Sequence, residues 1–236
     1  MKTLLKTLLT FFSITVMSSL VAQDLVKFEG TNHKVGFKDS NGNVVVAPKY
    51  DRVGHFYYGF ASVEINGNAG FIDKTGKEIT RLKYRNTGNL KFTQIGIAAV
   101  PIAINQKDEL KWGLIDKTGN EIISFKYDHV EEYPTQELIE VCIGCKWSNG
   151  SYKGGTYGFI DKLGAEVIPL IYEQVGYLSE ELVLVKKNNL WGYVDKTNNE
   201  VIPFKFDKAQ SFFQGKAKVT LGDRTFYIDK TGKEVE

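Results

Sequence analysis

Between Gly70 and Ile79 the sequence GFIDKTGKEI sets an acid, a lysine, a hydroxyl, a glycine and a second acid within a few residues. Acids and lysines so grouped are the raw material of general acid–base chemistry. The same string returns as GLIDKTGNEI at Gly113, GFIDKLGAEV at Gly158, GYVDKTNNEV at Gly192 and FYIDKTGKEV at Phe226, with a looser GFKDSNGNVV at Gly36. An active site is needed once, so six copies point to a structural repeat. The other candidates for chemistry are few. The histidines are His33, His55 and His129, with no metal-spaced pair among them. No nucleophile elbow, phosphate loop or HExxH motif occurs. Acids are abundant, which leaves a paired-carboxylate glycosidase open, although the regularly recurring acids belong to the repeat.

One segment breaks the pattern. CIGCKWSNGSYKGGTYG, from Cys142 to Gly158, holds both cysteines of the chain, Trp147, two tyrosines and five glycines. In an oxidising compartment Cys142 and Cys145 default to a disulfide, with free thiols as the alternative. Zinc would want four ligands, and a second CxxC is absent. Trp147, Asn149, Tyr152 and Tyr157 are candidate ligand-binding residues for a sugar or peptide, against the plainer reading of a long hairpin tip. The third unit carries its own insertion, NQKDELK, a polar loop.

The elements that would position these residues follow from the repeat, since internal periodicity decides the architecture. The markers Gly36, Gly70, Gly113, Gly158, Gly192 and Phe226 are spaced 34, 43, 45, 34 and 34 residues apart. Each unit reads as an alternating or apolar strand, a short turn, the GFID strand, the DKTG turn, an EVIP-like strand, and a loop with an aromatic residue. Turns this short join antiparallel neighbours. Asp39, Asp73, Asp116, Asp161, Asp195 and Asp229 take the first turn position, where Asp bonds the amides that follow. Gly42, Gly76, Gly119, Gly164 and Gly232 take the fourth, where positive φ is needed; Asn198 replaces glycine in the fifth unit and tolerates the same region. A ladder of cations on the aspartates is the alternative; calcium wants several converging oxygens, and each turn offers one acid beside a lysine.

Trp112, Trp191 and Tyr157, just before the marker glycines, are expected to pack over neighbouring backbone, with an exposed binding row as the alternative. Tyr50, Tyr84, Tyr127, Tyr172 and Phe206 are expected to anchor one unit on the next.

The elements KWGLID at Lys111–Asp116, LWGYVD at Leu190–Asp195 and TYGFID at Thr156–Asp161, with the following G-x-E-[VI]-I-P and [YF]D, resemble the WG (KWG) repeat family. The resemblance covers essentially the whole chain beyond the first residues. Val35, Ala69 and Thr225 stand at the tryptophan position and Phe226 at a marker glycine, so the first and last units are atypical, as capping repeats are. The resemblance implies a bacterial β-repeat scaffold, and no catalytic residues carry over from it.

The N-terminus reads as a processing signal. Lys2 and Lys6 precede the apolar run LLTFFSITVMSSLVA, which ends in small residues, as in a secretory signal peptide of residues 1–22 cut near Ala22 or Gln23. The run is short for a membrane span, and no lipobox cysteine follows it. Removing Lys2 and Lys6 from the 30 basic residues leaves 28 against 28 acidic ones, without the basic footprint of a nucleic-acid binder.

The expected architecture is all-β: a tandem array of six three-stranded antiparallel β-meanders over 23–236, with units near 25–55, 56–90, 91–133, 134–177, 178–211 and 212–236. An open solenoid-like array is preferred, with a closed propeller-like ring as the alternative. The expected function is a non-catalytic secreted or envelope scaffold or binding module for an unknown protein or glycan. It needs no cofactor or metal, binds no nucleic acid and has no membrane span after signal cleavage. The alternative is an extracellular polysaccharide-acting hydrolase.

Overall fold

A computed structural model describes residues 25–86, 88, 90–107, 109–131 and 138–236. The expected signal peptide at 1–22 lies outside the described residues. The described chain is all-β, in six consecutive antiparallel sheets and one additional hairpin. Sheet I runs from Val26 to Tyr50, sheet II from Arg52 to Arg85 and sheet III from Ile97 to Tyr127. Sheet IV runs from His129 to Tyr172, sheet V from Gln174 to Phe206 and sheet VI from Lys208 to Val235.

The strand count departs from three per unit. Sheets II, IV, V and VI have four strands, and sheets I and III have three. The added strand follows directly on the aromatic–acid pair ([YF]D, or Tyr172–Glu173 at the end of sheet IV): Arg52–Val53, His129–Glu131, Gln174–Ser179 and Lys208–Ala209. It pairs with the first expected strand of the next unit, as in His129↔Cys142 and Gln174↔Lys186. At two to six residues it has too little alternation to stand out in sequence. Four strands is also the usual number in a propeller blade.

Contacts between sheets decide the arrangement instead. Phe37, Val46 and Tyr50 of sheet I pack with Ala61, Val63 and Ile72 of sheet II. Ala69, Phe71 and Tyr84 of sheet II pack with Ala98, Val100 and Ile115 of sheet III. Leu114 and Tyr127 of sheet III meet Val141 and Ile160 of sheet IV. Phe159 and Tyr172 of sheet IV meet Val183 and Val194 of sheet V. Tyr193 and Phe206 of sheet V meet Val219 and Ile228 of sheet VI.

Successive side chains of a strand point to opposite faces, so the inner sheets are covered on both. In the strand Ile97–Ala103, Ala98 and Val100 face sheet II while Ile97 and Ala99 face sheet IV. This explains apolar runs such as LVLV at Leu182–Val185, whose four residues are all buried. Among the described residues no such cluster joins sheet VI to sheet I. Val26 and Val44 on the outer side of sheet I are exposed, as are Lys218, Thr225 and Tyr227 on that of sheet VI. Among the described residues, these two outer faces are not covered by another sheet.

The repeated turn is held by its aspartate. In all six copies the Asp Oδ1 accepts the amides two and four residues on: Asn41 and Asn43, Thr75 and Lys77, Thr118 and Asn120, Leu163 and Ala165, Thr197 and Asn199, and Thr231 and Lys233. The fourth position has φ between 81° and 86° at the five glycines and 67° at Asn198. Oδ1 is thus occupied by the turn itself in every copy, and in three copies Oδ2 also accepts the side chain of the asparagine four residues on. Hydrogen bonds from Asn199, above all its side chain, hold the Asp195 carboxyl down at about 2.

The marker glycine has a different cause. A Cβ on Gly158 would lie 2.5 Å from the Ile168 carbonyl oxygen, and one on Gly113 2.5 Å from that of Ile123. The EVIP-like strand bulges across this point, as the register shifts show. In sheet VI the last strand, Glu234–Val235, pairs with Tyr227 and Ile228 and not with Phe226.

Candidate functional site

The two insertions that disturb the 34-residue period fall at the same place in their units. In sheet II the second and third strands are joined by the tight turn at Asn66 and Gly67, both with positive φ. In sheet III that connection is lengthened to 104–109, and in sheet IV to 144–155. Because sheets III and IV are neighbours, the two lengthened turns come out side by side.

In sheet IV the lengthened turn is a hairpin, Lys146–Ser148 paired with Ser151–Lys153. Asn149 and Gly150 form its tip with φ of 51° and 82°, the paired positive values of a type I′ turn. Its base is tied twice. Cys142 and Cys145 are joined by a disulfide and are buried. Asp128, next to the Tyr127 anchor, accepts the Gly144 amide on Oδ2 at 2.6 Å and the Lys111 ammonium on Oδ1 at 2.6 Å.

The Asp128 contact is itself a repeat feature. Asp51, Glu173 and Asp207 stand at the same position and accept the amides of Asn66, Asn189 and Gly222 from the corresponding turns. The aromatic anchor and the acid after it therefore act together. The ring fills the gap to the next sheet, and the carboxylate fastens the turn between that sheet's second and third strands.

Above this base runs a continuous row of rings. Trp147 and Tyr152 face each other across the hairpin, edge to face, with centroids 5.1 Å apart. Tyr152 stacks on His129 at 3.8 Å and 20°. His129 in turn meets Trp112 of sheet III edge-on at 5.9 Å. The row borders a groove of about 670 Å³ lined by Glu109, Leu110, Lys111 and Trp112 from the third unit, Asp128, and Ile143–Trp147 with Tyr152 from the fourth. Its volume lies within the roughly 300–1,000 Å³ of ligand clefts. Trp147 is 64% exposed, while the Lys111–Asp128 pair is largely withdrawn, at 22% and 18%.

Of the four residues singled out from sequence, Trp147 and Tyr152 line the groove. Asn149 sits at the hairpin tip, where its conformation makes the turn. Tyr157 does not face the groove: it is 5% exposed and packed against the disulfide. The reason is register. Tyr157 pairs with Cys142 on one side and Tyr172 on the other, inside sheet IV.

The other residues at the tryptophan position likewise sit across from the aromatic anchors, Trp112↔Tyr127 and Trp191↔Phe206. They pack partly against the cores of sheets III–IV and V–VI. Lys111, Asp128 and His129 were not distinguishable as site residues in sequence. The only signal was their place beside a WG element and a YD element flanking the longest insertion.

One carboxyl nearby is perturbed. Glu140 pairs across strands with Glu131. Burial first, and the Glu131 charge second, push it up to about 7. Glu131 also accepts from His129 Nε2 at 2.9 Å. Burial, then Glu131 and Asp128, raise the Tyr152 hydroxyl. Neither Glu131 nor Glu140 lines the groove. Among the described residues no group of three or more His, Cys, Asp or Glu side chains could hold a metal ion. None of their helices is long and apolar enough to cross a membrane.

This geometry defines a tandem β-sheet repeat protein. A family model described as "WG containing repeat" matches residues 36–68, 112–147, 157–191 and 191–224, more than half of the chain. The chain belongs to this WG-repeat family. No curated protein matches it. Among solved structures, it is similar to a eukaryotic initiation factor at 14% identity and a TM-score of 0.47, over 91% of this chain and 63% of that one. It is also similar to the Dos1 propeller at 12% identity and a TM-score of 0.39, over 90% of this chain and 66% of that one. The chain thus spans less than two thirds of the length of the first of these.

Proposed function

We propose that this protein is a non-catalytic binding module, exported to the cell envelope or beyond, that recognises a protein or glycan through the groove between its third and fourth units. One observation carries the reading: the two insertions of an otherwise regular array lie side by side and frame a cleft bordered by Trp112, Tyr152 and the exposed Trp147. Repeat proteins bind through such departures from their period. An exposed tryptophan on a braced hairpin is large contact area at low entropic cost. The remaining turns are occupied with holding the scaffold.

The test is capture of envelope proteins and glycans on immobilised wild-type protein and on Trp147→Ala. Capture by the wild type that the variant loses, at unchanged thermal stability, supports the groove. Equal capture by both would remove it. Export is tested by N-terminal sequencing of protein recovered outside the cytoplasm, with a start near Gln23 expected.

The hydrolase reading rests on Glu140, whose raised carboxyl beside a second one suits a general acid. We place it second because the pair lies outside the groove. Polysaccharide hydrolysis abolished by Glu140→Gln would restore it.

A further inference from the structure

We propose that the groove takes an uncharged oligosaccharide, with one sugar ring stacked on Trp147 and a neighbouring pair of hydroxyls seated on Lys111 and Asp128. The proposal rests on the binding-module reading above and names its ligand class.

The polar floor carries the choice. Lys111 offers only donors and the Asp128 carboxylate only acceptors, and their bonded atoms lie 2.6 Å apart. Each hydroxyl of a sugar donates once and accepts twice. A vicinal pair can therefore donate a hydrogen bond to the carboxylate through one oxygen and accept one from the ammonium through the other. Asp128 is already fixed by the Gly144 amide and Lys111 by Asp128, so the pair is held in place before a ligand arrives. Preorganised polar groups lose little freedom on binding.

The aromatic row supplies the complementary surface. Tyr152 meets Trp147 edge-on and leaves the indole widely exposed. The C–H bonds on a pyranose face carry slight positive charge, and an aromatic face is negative. Behind the indole, the stack of Tyr152 on His129 keeps the hairpin from yielding.

Charge then selects among ligands. The groove's charged side chains are Glu109, Lys111, Asp128 and Lys146, two of each sign. An acidic glycan would set its carboxylates against Glu109 and Asp128. A proline-rich peptide, the other common ligand of aromatic grooves, lacks N–H donors at its prolines. It would cover the remaining acceptor positions of Asp128, beyond those that bond Lys111 and the Gly144 amide, without offering them a donor.

The experiment is calorimetric titration of the full chain with cellohexaose, mannohexaose, laminarihexaose and maltohexaose, with polygalacturonate and a polyproline peptide as other arms. At least one neutral hexaose is expected to bind. Trp147→Ala is expected to weaken it tenfold or more, and Trp147→Phe to restore most of the affinity. The double variant Lys111→Met/Asp128→Asn, which keeps an acceptor for the Gly144 amide, is expected to weaken it at least tenfold while its melting temperature stays within the range of Trp147→Ala. Binding of a hexaose that the double variant retains overturns the proposal. Binding of polygalacturonate or polyproline alone, lost in Trp147→Ala, overturns it too but leaves the binding-module reading standing. No binding in any arm, with no Trp147-dependent capture from the envelope, overturns both.

Discussion

The Tyr172 hydroxyl donates to Asn198 Oδ1 at 2.6 Å, from the last strand of sheet IV to the repeated turn of sheet V. Asn198 is the one turn residue of the six that is not glycine. Its backbone fits the turn with φ of 67°, and its side chain adds a bond between sheets that glycine could not make. Tyr172→Phe is therefore expected to cost about 1 kcal/mol. Asn198→Ala is expected to cost about 2 kcal/mol, since it loses the bond and leaves a Cβ in the left-handed region without compensation. Urea unfolding of both variants and the double variant should give a coupling of about 1 kcal/mol. Strict additivity would show that the bond contributes nothing.

Two glycines that look alike should respond differently to alanine. Gly42 has φ of 85° and open space around its Cβ position, so Gly42→Ala should cost only the conformational strain, about 1 kcal/mol. Gly158 lies where a Cβ would stand 2.5 Å from the Ile168 carbonyl oxygen and 2.8 Å from the backbone of Leu170. Gly158→Ala must push two strands apart, at a cost of about 2–3 kcal/mol. Equal losses for the two, measured by chemical denaturation, would contradict the crossing-strand account of the marker glycine.

Glu140 makes stability depend on pH. Its carboxyl is raised from 4.5 to about 7 in the folded chain, so between those values the folded state holds a proton that the unfolded state has released. Stability from this group therefore falls as pH rises through that window, by up to about 3 kcal/mol at 1.36 kcal/mol per unit. Glu140→Gln should be more stable than wild type at pH 8 and nearly equal to it at pH 4. Thermal melts at the two pH values check the difference, and a larger gain at pH 4 would reverse the sign.

The disulfide closes a loop of only four residues, so its loss should be modest. Cys142→Ala/Cys145→Ala is expected to cost about 2 kcal/mol by loop entropy. More telling, the hairpin should loosen at its base and expose the ring of Tyr152, now stacked on His129. Amide exchange of the hairpin should rise in the variant and in reduced wild type alike, with the neighbouring sheet III unchanged. Unaltered exchange would show that Asp128 alone holds the hairpin.

Periodicity in the chain disclosed six units, their antiparallel turns and the aromatic anchors, because turn chemistry is local. An aspartate reaches amides two and four residues ahead, and a residue with positive φ must follow. Those constraints repeat wherever the turn does, and they leave a trace at fixed spacing. The chain also marked Cys142–Gly158 as the departure. Three things were beyond its reach. The fourth strand is short, and its identity as a strand comes from its partner across the sheet. The burial of Tyr157 depends on which of its neighbours in register carry the disulfide. The groove depends on two insertions, at 104–109 and 144–155, that are far apart in sequence and adjacent only because sheets III and IV pack face to face. Lys111, Asp128 and His129 gained their meaning there: packing sets an ordinary lysine and acid within bonding distance and stacks an ordinary histidine under Tyr152.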